Sequence, residues 1–140
     1  MAYSTENDLL TMIPLQELAE LTADSGETPD SLVVTEAINR ADAEIDAYVG
    51  TRYQLPLAPA PDQVKGLSID MALYHLYSRR SVAPTVRRQK YEAALAFLKL
   101  VAAGEAVVEG ASGLLTETTQ VGSEFASSPR VFTRDSQGNW

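Results

Sequence analysis

Apolar residues recur along this chain at the three- and four-residue steps of a helix, in five separate runs. The first run is Leu9, Leu10, Met12 and Ile13. It follows Thr5, whose hydroxyl suits a helix N-cap, with Glu6 and Asp8 in the positive first turn. Pro14 suits the first position of a second helix, which continues through Leu15, Leu18 and Leu21. Residues 22–30 gather Asp, Ser, Gly and Pro and read as a loop. A third helix is predicted over about 31–51, with Val34, Ile38, Ala41, Ile45 and Tyr48 forming one stripe. Glu36, Arg40, Asp42, Glu44 and Asp46 fall away from that stripe and read as a solvated face.

Gly50 closes the third helix. Pro56, Pro59 and Pro61 then forbid helix across 52–61, where Leu55 and Leu57 are placed to lie across a helical core. The fourth helix should run over about 62–80. Val64, Leu67, Met71 and Tyr74 mark one face, and Ile69, Leu73 and Leu76 a second. A helix apolar on two sides is contacted from both, so this one should be central. After a break at Pro84, a fifth helix spans about 85–103, with Tyr91, Ala94, Leu95, Leu98 and Val101 on one face, and Gly104 ends it. The expected fold is mainly α: a compact bundle of about five helices over 1–104. Residues 105–140 form an extended C-terminal arm, with a short β-hairpin compatible with the Gly-, Ser- and Thr-bearing stretch near 105–122.

Composition narrows the chemistry. The chain has 140 residues, enough for one domain, and 45% are hydrophobic, enough for a core. It has no cysteine and one histidine, His75, so disulfides, thiol catalysis and sites needing two imidazoles are excluded. No apolar run approaches the ~20 residues that span a bilayer, and the opening residues lack the basic and apolar stretch of a signal peptide. No membrane association or export is expected.

Residues 1–70 carry 13 acidic and 3 basic side chains, a net of −10; residues 71–140 carry 6 and 8, a net of +2, which together give −8. Such an acidic chain is a poor general binder of nucleic acid. Its asymmetry would let opposite surfaces of neighbouring copies face one another.

Nucleotide-binding and hydrolase signatures are missing: there is no GxxxxGK[ST], GxGxxG, HExxH or GxSxG. The spaced acids of 22–30 lack the ligand alternation and closing Glu of a calcium loop. No catalytic residue, cofactor or metal is expected, and His75 reads as a packed side chain. The concentrated feature is basic: Arg79, Arg80, Arg87, Arg88 and Lys90 fall within twelve positions around the break between helices four and five. They either cap the negative end of helix four and solvate the turn, or form a ridge facing DNA or an acidic neighbouring subunit. The C-terminal segment is the other unusual feature. Arg130, Val131, Phe132 and Arg134, with Trp140, carry more apolar surface than a solvated tail normally does, and are expected to dock on a partner.

These residues bear a resemblance. The opening Tyr3-Ser4-Thr5-Glu6-Asn7-Asp8-Leu9-Leu10 resembles that of the small Mu-like prophage virion proteins. So do Ala43-Glu44-Ile45-Asp46-Ala47-Tyr48-Val49 and Arg52-Tyr53-Gln54-Leu55-Pro56-Leu57. Asp70-Met71-Ala72-Leu73-Tyr74-His75-Leu76-Tyr77, Arg88-Gln89-Lys90-Tyr91-Glu92-Ala93-Ala94-Leu95 and Arg130-Val131-Phe132-Thr133-Arg134-Asp135 follow in order. The family is similar to the head–tail connector, or head-completion, proteins of tailed phages. The resemblance implies a structural subunit that forms a homo-oligomeric ring and bridges portal and tail-completion proteins around the DNA path. It would meet packaged DNA non-specifically, in the virion neck and, during assembly, in the host cytoplasm. Two other classes compete with this reading: a soluble helical adaptor or regulator with one protein partner, and a small hydrolase using Asp or Glu with a metal.

Overall fold

The computed structural model describes residues 2–24, 27–57, 59–109 and 111. Five helices follow one another: α1 (Glu6–Leu10), α2 (Leu15–Thr22), α3 (Ser31–Val49), α4 (Asp62–Arg79) and α5 (Thr85–Ala102). There is no strand among the described residues, and the fold is mainly α, as the apolar periodicity implies. The arm beyond residue 111, with Arg130, Val131, Phe132, Arg134 and Trp140, lies outside the described residues, as does most of the 105–122 stretch.

Local chemistry sets each helix end. Thr5 and Asp8 form a reciprocal capping box at α1: the Asp8 N–H donates to Thr5 Oγ1 at 3.3 Å, and the Thr5 N–H donates to Asp8 Oδ2 at 2.9 Å. The helix stops at Leu10 rather than continuing through Ile13, because a residue preceding proline is pushed out of the α region. Pro14 is accordingly the N-cap of α2 (ψ 155°) rather than its first turn. Asp30 caps α3 by accepting from the Leu32 N–H at 3.0 Å.

The ends of α4 and α5 share one motif. Gly104, at φ +83°, follows α5; its N–H donates to Val101 O at 3.0 Å, and the Glu105 N–H to Leu100 O at 2.8 Å. Ser81, at φ +60°, follows α4; its N–H donates to Ser78 O at 2.9 Å, and the Val82 N–H to Tyr77 O at 3.1 Å. Both are Schellman closures, in which one left-handed residue satisfies two orphan carbonyls.

α4 is the centre of the bundle. It packs most extensively on α3, then on α5, and also touches α1 and α2. Met71, Ala72 and Leu73 are fully buried, with Leu76 and Tyr77 close behind. From α3 come Val34, Ile38, Ala41 and Ile45, and from α5 Ala94, Leu98 and Val101. Tyr48 is only half-buried, and Val49 takes the place expected of it. The proline-rich link sends Leu57 into the core but leaves Leu55 40% exposed, packed beside Gly50. After α5 the chain returns to the start of α4: the buried Val108 donates its N–H to Tyr53 Oη at 2.9 Å, and the Glu109 N–H donates to Gln63 Oε1 at 3.0 Å.

Candidate functional site

Glu36 and Arg40 of α3 are exposed, as their spacing suggests, but Asp42, Glu44 and Asp46 do not form a solvated face. Asp42 is 6% exposed. Its Oδ2 accepts the Tyr3 N–H at 2.8 Å and its Oδ1 accepts the Ser68 hydroxyl at 2.6 Å. Ser68 also meets Ser4 at 2.7 Å. One turn further on, Asp46 accepts the Tyr3 hydroxyl at 2.5 Å. Burial raises the Asp42 carboxyl, although the bonds from Ser68 and Tyr3 pull it back down. Burial, then the Asp46 hydrogen bond, push the Tyr3 phenol up to about 12. The segment ahead of α1 is thus fastened to α3 and α4 by a buried polar network. The correction is physical: α3 is contacted on more than its apolar stripe, so carboxylates off that stripe are covered by the N-terminal segment.

Glu44 faces a different side of α3. Its Oε1 lies 2.7 Å from His75 Nε2, and its Oε2 accepts the Tyr91 hydroxyl at 2.9 Å. Tyr91 stacks on Tyr74 with centroids 4.1 Å apart and planes 11° from parallel, and both rings meet His75 edge-on. Burial and the Glu44 contact push the Tyr91 phenol up to about 12. His75, a buried residue of α4, therefore ties three helices together. Beside it lies an open groove of about 620 Å³ bordered by Glu36, Arg40, Arg79 and the paired tyrosines.

The basic cluster is divided by the fold. Arg79 and Arg80 turn back onto α2: Arg79 Nη1 donates to Leu21 O at 3.1 Å, and Arg80 donates to Leu21 O and Ala23 O, both at 3.3 Å. They cap the carbonyl end of α2 rather than standing free. Arg87 and Lys90 bear instead on Asp70 of α4, whose carboxyl burial raises while these two cations oppose the rise. Arg87 is half-covered, and its Nη1 is buried without a partner. Arg88 is exposed, with no hydrogen bond or ion pair among the described residues. The five residues therefore do not make one ridge. Arg88 and Lys90 are the members with exposed side chains and no hydrogen bond drawn to them.

A second groove, of about 720 Å³, runs between α2 and the end of α4. Its floor holds Leu21, Tyr77 and Val82; Glu17, Glu20 and Asp24 border it. The turn after α4 explains the floor, because the Schellman closure brings Val82 back over Tyr77. The Tyr77 hydroxyl donates to Glu17, and Arg80 lies 3.8 Å from Asp24. No periodicity in the sequence signals this groove, since its residues come from two separated stretches of the chain, 14–24 and 77–82. Among the described residues, no group of three His, Asp or Glu side chains is arranged to hold a metal ion, and no helix is long and apolar enough to cross a membrane.

The family model described as Bacteriophage Mu, Gp36, matches residues 3–127. The chain is also 32% identical, over 103 residues, to the Mu-like prophage FluMu protein gp36 of Haemophilus influenzae, covering 73% of this chain and 72% of that protein. The matched span includes all five helices and both grooves. This helical protein belongs to the Bacteriophage Mu Gp36 family.

Proposed function

We infer that this phage protein is a structural subunit of the virion neck: a head–tail connector, or head-completion, protein. It self-associates as a ring between portal and tail-completion proteins and surrounds the DNA path. The observation that carries the reading is membership of a phage family across nearly the whole chain, a family that resembles the head–tail connector proteins of tailed phages. The structure supports it in two ways. First, the ionisable side chains most removed from water are spent on holding helices together. Asp42 and Asp46 hold Tyr3, and Glu44 holds His75 and Tyr91, an arrangement suited to a rigid building block rather than to catalysis. Second, the surfaces are chemically unlike: a groove edged by Glu17, Glu20 and Asp24 lies on one side, and the exposed Arg88 and Lys90 lie on α5. Unlike patches are what a head-to-tail interface needs, and such an interface closes into a ring at the right rotation.

Arg88 and Lys90 then provide the non-specific contact with packaged DNA or with an acidic neighbour. The subunit acts without cofactor or metal, in the host cytoplasm during assembly and in the neck of the finished particle. Electron microscopy of the purified full-length protein over a range of concentrations tests this. Closed rings are the expected result. A monomer or dimer at every concentration would sink the ring and leave a helical adaptor with a single protein partner.

A further inference from the structure

We propose that the acidic groove between α2 and the end of α4 receives the segment Arg130-Val131-Phe132-Thr133-Arg134 of a neighbouring copy. The proposal rests on the ring reading and specifies its contact. Three observations carry it.

Charge is the first. Glu17, Glu20 and Asp24 contribute −3 along the groove and Arg80 contributes +1, a net of −2. The guanidinium of Arg80 is turned onto the carbonyls of Leu21 and Ala23 and pairs with the exposed Asp24 at 3.8 Å, while Glu17 accepts from Tyr77, which leaves the exposed Glu20 as the rim carboxylate that no groove side chain engages. The segment carries Arg130 and Arg134, a net of +2, at its two ends. Arginine can meet a carboxylate with two parallel N–H donors, so the match is geometric as well as electrostatic.

Shape and polarity are the second. Val82 is 55% exposed beside Tyr77 at the floor. The segment carries its apolar pair, Val131 and Phe132, between the arginines. A groove with an apolar floor and charged rim is suited to a short peptide that is apolar at its centre and charged at its flanks.

Reach is the third. The described chain ends beside the start of α4, anchored through Val108 and Glu109, while the groove lies at the other end of that helix. The 18 residues of α4 separate these points by roughly 27 Å. Residues 112–129 number 18 and can span at most about 60 Å. A donor at one end of the subunit and a receptor at the other is the polarity of a head-to-tail contact.

The absence of cysteine gives a test without background thiols. Full-length Glu20→Cys and Val131→Cys variants are mixed in equal amounts under mild oxidation. The reference is an Ala96→Cys variant, exposed on α5 away from the groove. The expected result is a linked E20C–V131C heterodimer in at least fivefold excess over either pairing with A96C. That excess should disappear when R130E and R134E are added to the V131C chain. Equal yields for all pairings overturn the proposal. So does a double E20C/V131C chain that closes on itself as a linked monomer in preference to linking to other copies, because the groove would then hold its own arm. Rings seen by microscopy without the E20C–V131C link overturn this contact alone. The link without rings supports the contact and overturns the ring.

Discussion

Replacing Asp42 by alanine should destabilise the fold far more than replacing it by asparagine. Asp42 Oδ2 is the acceptor for the Tyr3 N–H, and Oδ1 for the Ser68 hydroxyl. Tyr3 and Ser68 are 2% and 0% exposed, so water cannot take over either role. Leaving a buried donor without its acceptor costs about 1–3 kcal/mol. Ser68 recovers part of its share from Ser4, 2.7 Å away, while the Tyr3 N–H has no such alternative. The sum for Asp42→Ala is about 2–4 kcal/mol, a large fraction of the ~5–15 kcal/mol that holds a domain together. At roughly 3 °C per kcal/mol for a chain of this size, the melting temperature falls by about 6–12 °C.

Asparagine keeps an oxygen for the Tyr3 N–H and presents an amide N–H to Ser68. Ser68 can accept it by turning its own proton to Ser4. Asp42→Asn should therefore cost under about 1 kcal/mol. The pH dependence gives a second reading of the same site. The folded carboxyl is raised above its unfolded value of about 3.9. Its stabilising contribution is complete below that value and is lost as pH rises through the folded one. The stability of the native protein relative to D42N should then decline as pH rises from about 4. Chemical denaturation of the three proteins between pH 3 and 7 measures all of this. An alanine variant within about 0.5 kcal/mol of the native protein, or an asparagine variant as damaged as the alanine one, would refute the network as described.

Other consequences follow from the same structure. The phenols of Tyr3 and Tyr91 are both pushed up to about 12. Their contribution is therefore intact below the unfolded value of about 10 and lost between pH 10 and 12; the double variant Y3F/Y91F should show a flatter stability curve across that window, and an unchanged slope argues against both hydrogen bonds. Ser81→Gly should raise stability by about 0.5–1 kcal/mol, because a non-glycine residue is strained at its φ of +60°; a lower melting temperature would contradict the turn geometry. Ile45→Ala and Leu73→Ala, at sites fully buried between helices, should each cost about 2–5 kcal/mol, and a loss below about 0.5 kcal/mol at both would mean the apolar faces are misassigned. R88E should leave melting unchanged yet reduce particle assembly or genome retention, whereas R79A/R80A should lower melting by uncapping α2; normal infectious particles from R88E would remove the Arg88 contact from the proposed function.

The sequence alone determined the helices. Their spans follow from apolar periodicity, and their limits from Thr5, Pro14, Gly50, Pro84 and Gly104, because caps and breakers act over three or four residues and need no distant partner. The two-sided apolar pattern of α4 likewise implies its central place, since a helix apolar on two faces must be covered on both. Only the tertiary structure decided the fate of the polar residues. The same carboxylate pattern on α3 is compatible with a solvated face, yet Asp42, Glu44 and Asp46 are engaged by Tyr3, Ser68, His75 and Tyr91, at sequence separations of 26 to 47 residues. Nothing local to α3 encodes those partners. The left-handed turn at Ser81 is not legible in the sequence for a related reason: such a closure usually carries glycine, and here the surrounding hydrogen bonds impose it on serine. The arginines make the point most clearly. Five cations close in sequence suggest one surface, but packing of α4 on α2 turned two onto backbone carbonyls, while packing of α5 on α4 set Arg87 and Lys90 near Asp70 and left Arg88 in water. Helices form from short-range rules, whereas the partner of a charge is chosen by whichever element the chain brings back beside it.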